Sequence, residues 1–82
     1  ELALIKVSIR DEKDRQAVMS LNDIFRNRVI DITTKTMTLE IVGSSDKIDS
    51  FVGLLSERVN VRELARSGTI ALYRGDDSIF LD

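Results

Sequence analysis

Six arginines, Arg26, Arg28, Arg58, Arg62, Arg66 and Arg74, are the side chains whose type and spacing point to chemistry beyond packing. A guanidinium stays charged and presents a planar fork of donors, so it grips carboxylates or phosphates and does not transfer protons. Arg62, Arg66 and Arg74 crowd one end of the chain around Gly68 and Gly75, beside the apolar run Ile70-Ala-Leu-Tyr73. An irregular Arg/Gly segment next to a short apolar run suits contact with another chain. Arg62, Arg66, Tyr73 and Arg74 are therefore the candidate partner-contact residues. The competing reading is that Arg62 and Arg66 pair with Glu63 or Asp31 on the domain's own surface, or are simply solvated.

Other chemistries find little support. The sequence has no His and no Cys, which removes nucleophile–base pairs and most transition-metal sites. The acidic pairs Asp11/Asp14 and Asp76/Asp77 read as capping or solvated groups. No segment alternates oxygen ligands around a glycine turn as a calcium loop does. The first strand-to-helix turn, Ile9-Arg10-Asp11-Glu12, lacks glycine and carries two acids, so it does not cradle phosphate. Twelve basic against fourteen acidic residues leave a net charge of −2 and no basic field for a nucleic-acid backbone. The expected catalytic, cofactor-binding and metal sites are thus none.

These residues must be positioned by a small domain. Eighty-two residues allow one core, supplemented by neither disulfides nor zinc. Residues 2–9 read as a strand with Ala3, Ile5, Val7 and Ile9 on one face, and Leu2 and Leu4 make it apolar on both faces, as a central strand is. Asp11 caps a helix over 11–26 whose stripe is Ala17, Val18, Leu21, Ile24 and Phe25, with Asn27 as its left-handed stop. Residues 28–42 read as an antiparallel hairpin turning at Thr34-Lys35, with Ile32 opposite Met37, Asp31 opposite Thr38, Ile30 opposite Leu39 and Val29 opposite Glu40. Ser44 or Ser45 caps a second helix with the stripe Ile48, Phe51, Val52, Leu55 and Val59, and 61–66 forms a fourth strand.

The order β-α-β-β-α-β predicts a ferredoxin-like α+β sandwich, a four-stranded antiparallel sheet of order 4-1-3-2 with both helices on one face. The right-handed crossovers are expected to leave strands one and three central and parallel. Ile5, Val7, Ile30, Ile32, Leu39 and Ile41 would face the helices. Leu2, Leu4, Lys6, Val29, Asp31, Thr38 and Glu40 would line the open face. RNA-binding domains share this order but stack bases on aromatics of the central strands, and strands 2–9 and 36–42 contain none. Leu2, Leu4 and Val29 instead suggest a two-fold homodimer through the open face or an edge strand.

A family resemblance follows from six motifs in succession. They are Glu1-Leu-Ala-Leu-Ile-Lys-Val, Asp23-Ile-Phe-Arg, Val29-Ile-Asp-Ile, Leu39-Glu-Ile-Val-Gly43-Ser-Ser-Asp-Lys-Ile, Arg62-Glu-Leu-Ala-Arg-Ser-Gly68 and Ala71-Leu-Tyr-Arg-Gly75. Together they resemble the C-terminal domain of the small regulatory subunit of acetolactate synthase (acetohydroxyacid synthase). The start at Glu1 without a Met likewise suggests a domain cut from a longer protein. The resemblance implies a domain over 1–75 with a variable tail over 76–82, preceded in its parent subunit by an ACT domain that binds the feedback inhibitor. It implies a non-catalytic role in assembly and feedback control of a thiamine-diphosphate-dependent catalytic subunit in branched-chain amino-acid synthesis. Thiamine diphosphate, Mg and FAD are expected only in that partner. A cytoplasmic location fits the absence of Cys, and neither nucleic acid nor membrane is an expected partner. The alternative reading is a self-standing small-ligand sensor acting as a dimer.

Overall fold

The structure is a computed structural model and describes residues 1–68. Its elements run β1 (Leu2–Ser8), α1 (Glu12–Ile24), β2 (Arg28–Ile32), β3 (Thr36–Val42), α2 (Ser45–Arg58) and β4 (Val61–Arg66). They build one four-stranded sheet of order β2-β3-β1-β4, the ferredoxin-like arrangement.

Local chemistry sets the helix ends. The Asp11 carboxylate accepts the Asp14 N–H at 2.9 Å, and Glu12 and Asp14 put negative charge at the positive end of the helix dipole. The Ser44 hydroxyl accepts the Lys47 N–H at 3.1 Å and starts α2 in the same way. At the far end of α1 the left-handed residue is Arg26, with φ 58°, and not Asn27. Asn27 instead sends its N–H back to the Asn22 carbonyl at 2.9 Å, and the Asn22 amide donates to the Asn27 carbonyl at 3.1 Å. The Asn22 side chain and the Asn27 backbone close the helix, and the left-handed conformation falls to Arg26 just before Asn27.

Alternation places the core. Ala3, Ile5 and Val7 from β1 and Met37, Leu39 and Ile41 from β3 are fully buried beneath the helices. Val18 of α1 and Ile48, Phe51 and Leu55 of α2 complete the layer, and the Phe25 and Phe51 rings meet at 5.1 Å, tilted by 56°. β1 pairs antiparallel with β3 (Ile5 opposite Leu39, Val7 opposite Met37) and with β4 (Ile5 opposite Leu64). The central strands β1 and β3 are therefore antiparallel and not parallel as expected. The crossovers make β1 parallel to β2, with β3 lying between them.

The hairpin keeps half of its expected register. Ile32 faces Met37 and Asp31 faces Thr38, but an irregularity between Val29 and Asp31 then puts Val29 opposite Leu39 and Arg28 opposite Glu40. An extra residue in one strand slides everything beyond it by one position. Val29 therefore packs against the core and leaves the open face, while Ile30 stands 44% exposed and Ile32, at the sheet edge, 55% exposed. The turn lacks Gly because the Thr33 hydroxyl takes the N–H groups of Lys35 and Thr36 and meets the Thr36 hydroxyl at 2.7 Å.

The α1 stripe is also rotated from its expected line. Its buried residues are Asp14, Val18 and Asn22, with Leu21 and Phe25 half-buried beside them, and Ile24 is exposed.

Candidate interaction surfaces

The face of the sheet away from the helices carries alternate residues of each strand. Leu2 and Leu4 stand 38% and 37% exposed on β1, with Val42 opposite Leu2 and Ala65 opposite Leu4. Glu40, level with Leu4 on the neighbouring strand, pairs with Arg28 at 3.8 Å, and farther along Lys6 pairs with Glu63 at 3.2 Å. Asp31 and Thr38 lie between these pairs, around a hollow of about 380 Å³ lined also by Leu4, Lys6 and Ala65. The surface is apolar at one end and charged with both signs at the other. Leu2 and Leu4 occupy the expected place on it. Val29 does not, because the bulge carries it to the helix side.

The arginines divide between the two ends of β4. At its C-terminal end Arg66 bonds both oxygens of Glu1, at 2.7 and 3.1 Å, and Asp49 of α2 at 2.6 Å. Glu1 also accepts the Ser45 hydroxyl at 2.7 Å, while its backbone continues the β1–β3 ladder through Gly43. Arg66, with help from Ser45, holds the Glu1 carboxyl down at about 2, and the two carboxylates push the guanidinium further up. Arg66 thus ties β1, α2 and β4 together. It is internally paired, though with Glu1 and Asp49 and not with Glu63 or Asp31.

Arg62 lies at the other end, its Nε donating to the Ser8 hydroxyl at 2.6 Å. Nearby, Arg10 clasps Asp14 with Nε at 2.7 Å and Nη2 at 3.0 Å, and its own backbone N–H adds a third bond at 3.0 Å. The Asp14 side chain is 1% exposed. Those bonds from Arg10, with Arg58 Nε at 3.5 Å, hold its carboxyl at about 2. Arg10, Arg58, Ser8, Asn60 and Val61 line an open groove of about 510 Å³ between the end of β1 with the turn after it and the end of α2 with the start of β4. Reasoning from sequence gave Arg10 no role and read Asp14 as a capping or solvated group. The signal was present, since Arg10 and Asp14 are four apart and Asp14 falls in line with Val18, Leu21 and Phe25 on the buried side of α1. Tyr73 and Arg74 lie outside the described residues.

Among the described residues, no group of three or more His, Cys, Asp or Glu could hold a metal ion, and no helix is long and apolar enough to cross a membrane. What the geometry offers is recognition of other surfaces, by an open sheet face and by the arginines gathered near the N-terminal end of β4.

Comparison with known proteins gives a consistent picture. A family model described as "Small subunit of acetolactate synthase" matches residues 1–75. A Haemophilus influenzae protein named acetolactate synthase small subunit is 40% identical over 83 residues, covering 96% of this chain and 48% of its own. A probable acetolactate synthase small subunit of Methanothermobacter thermautotrophicus is 39% identical over 75 residues, covering 92% of this chain and 44% of its own. The crystal structure of the acetolactate synthase small subunit from Thermotoga maritima superposes with a TM-score of 0.78 at 36% identity, covering 93% of this chain and 45% of that one. The chain spans about half the length of the curated relatives it matches.

Proposed function

From the premise that this chain belongs to the acetolactate synthase small-subunit family, as its C-terminal domain, we propose that it is a non-catalytic regulatory domain. In this reading it supports assembly of the small subunit with the catalytic subunit of acetolactate synthase, and feedback control of that enzyme in branched-chain amino-acid synthesis. The observation that carries it is the family match along residues 1–75, joined to relatives that bear the small-subunit name. The thiamine diphosphate, Mg and FAD of the reaction would reside in the catalytic partner, and an ACT domain in the same subunit would bind the effector. The assembly would be cytoplasmic.

The open sheet face supports a second copy of the chain as a further partner. It exposes Leu2, Leu4 and Val42 beside charges of both signs, Lys6 and Arg28 against Asp31, Glu40 and Glu63. A two-fold axis lying along such a surface sets apolar against apolar near the axis and each charged residue against the copy of a different one, so that acids meet bases. In a feedback role the domain must contact its partners differently in the active and inhibited states, since a signal needs a difference in binding free energy between them.

Co-purification tests the reading. A small subunit carrying residues 1–82 should retain the catalytic subunit on an affinity column at physiological salt. The same subunit lacking them should retain markedly less. Equal retention would remove this domain from the assembly.

A further inference from the structure

The end of the domain formed by the start of α1, the end of α2 and the start of β4 holds more guanidinium chemistry than the fold uses. Arg10 is committed to Asp14 through Nε and Nη2, which satisfies the one buried carboxylate there. Arg58 approaches the same carboxylate at 3.5 Å without a hydrogen bond within the described residues, and its side chain is half exposed. Among the described residues, Arg62 uses only Nε, on Ser8. Removing Arg58 or Arg62 would therefore leave no described buried group unpaired, so packing does not demand them.

The groove they border is about 510 Å³ and open along one side, with Val59 and Val61 beside the Arg10 and Arg58 side chains. A cleft of this size with an apolar flank is larger than a single oxyanion needs and matches a short length of extended peptide. Glu57 is the carboxylate in its lining, and the buried Asp14 that Arg10 and Arg58 hold lies outside it. Arg58 in the lining, and Arg62 at the groove's edge through Ser8, are complementary to carboxylates, which a guanidinium can bind through two parallel N–H bonds.

We propose that this groove is a docking site for an acidic peptide segment of a protein partner. Arg58 and Arg62 supply the forks that bind its carboxylates, and Arg10 holds one wall in place through Asp14. The site is separate from the open sheet face and does not depend on the regulatory reading, because it is defined by this chain's own residues.

The test uses the full chain, labelled with ¹⁵N, and a capped pentaglutamate peptide, with capped pentaglutamine as the neutral control. The expected result is saturable movement of the amides of Ser8, Arg10, Asn60 and Val61 and of the Nε–H signals of Arg58 and Arg62 with pentaglutamate alone. The double variant Arg58→Gln, Arg62→Gln should bind at least tenfold more weakly while its amide spectrum stays folded. The single variant Arg28→Gln, on the open sheet face, should bind as the parent does. No saturation in the millimolar range, equal movement with pentaglutamine, or an equal loss in Arg28→Gln would overturn the proposal. None of these outcomes bears on retention of the catalytic subunit, so the two readings fail independently.

Discussion

Truncating Leu39 to alanine empties the centre of the core. Leu39 is fully buried on β3, cross-strand from Ile5 on one side and Val29 on the other, under the two helices. Its removal should cost about 2–5 kcal/mol, the lost transfer energy plus the cavity that rigid neighbours leave behind. A domain of this size holds roughly 5–15 kcal/mol in total, so the loss is a large share of its stability. With about 4–8 °C of melting temperature per kcal/mol at this chain length, the midpoint should fall by at least ~10 °C. Ile32 makes the control. It lies opposite Met37 on the same strand pair but is 55% exposed at the edge, so Ile32→Ala forfeits only part of a side chain's burial, about 1 kcal/mol or less. Urea unfolding monitored by circular dichroism reads both variants, with the slope m unchanged if only the native state is affected. Equal losses for the two, or a loss below about 1 kcal/mol for Leu39→Ala, would refute the placement of the core on β3 and the helices.

Further outcomes follow from the same contacts. The Glu1 and Asp14 carboxyls are held at about 2 against ordinary values of 4.5 and 3.8, so they stabilise the fold above those values. That contribution is lost as pH falls from 4.5 toward 2, and Glu1→Gln with Asp14→Asn should flatten the decline in melting temperature over this window. A parent protein whose melting temperature is flat there would contradict these pairings. Arg26 is exposed and left-handed at φ 58°. Arg26→Gly should gain about 0.5–1 kcal/mol, because the left-handed penalty of roughly 1–2 kcal/mol exceeds glycine's extra chain entropy. A lower urea midpoint would disprove it. The proposed dimer should appear in sedimentation of the parent protein and be lost in Leu4→Lys, on the open sheet face, without a lower melting temperature, and equal sedimentation of the two would contradict that interface.

Much of this fold is written in alternation. Ala3, Ile5 and Val7, and Met37, Leu39 and Ile41, recur in twos, and Ile48, Phe51, Leu55 and Val59 recur at helical spacing, and all lie in the core. Asp11 and Ser44 start the helices as their side-chain chemistry dictates. Ile30 was illegible for a definite reason. A bulge is decided by how two strands meet, and no pattern within one strand records it, so Val29 and Ile30 exchanged roles. Ile24 fits a helical stripe by spacing, yet the helix turns Asp14 and Asn22 inward, where Arg10 pairs the Asp14 carboxylate and the Asn27 carbonyl accepts from the Asn22 amide nitrogen. That choice depends on partners outside the apolar pattern. The arginines show the same limit. Arg62 and Arg66 are neighbours in sequence, but β4 carries them to opposite ends, and Arg66 meets Glu1 from the far end of the sequence. Replacing Arg66 alone would therefore loosen β1, α2 and β4 as well as remove a contact, and Arg62 is the cleaner probe of partner binding.

The regulatory role is tested most directly by the activity of the catalytic subunit itself. Its rate would be titrated with the small subunit, with and without residues 1–82, in the presence and absence of the proposed effector, tried as each branched-chain amino acid in turn. The account predicts that the truncated subunit stimulates the catalytic subunit less and that its feedback curve is weakened or displaced to higher effector concentration. Superimposable activation and inhibition curves for the two subunits would contradict it.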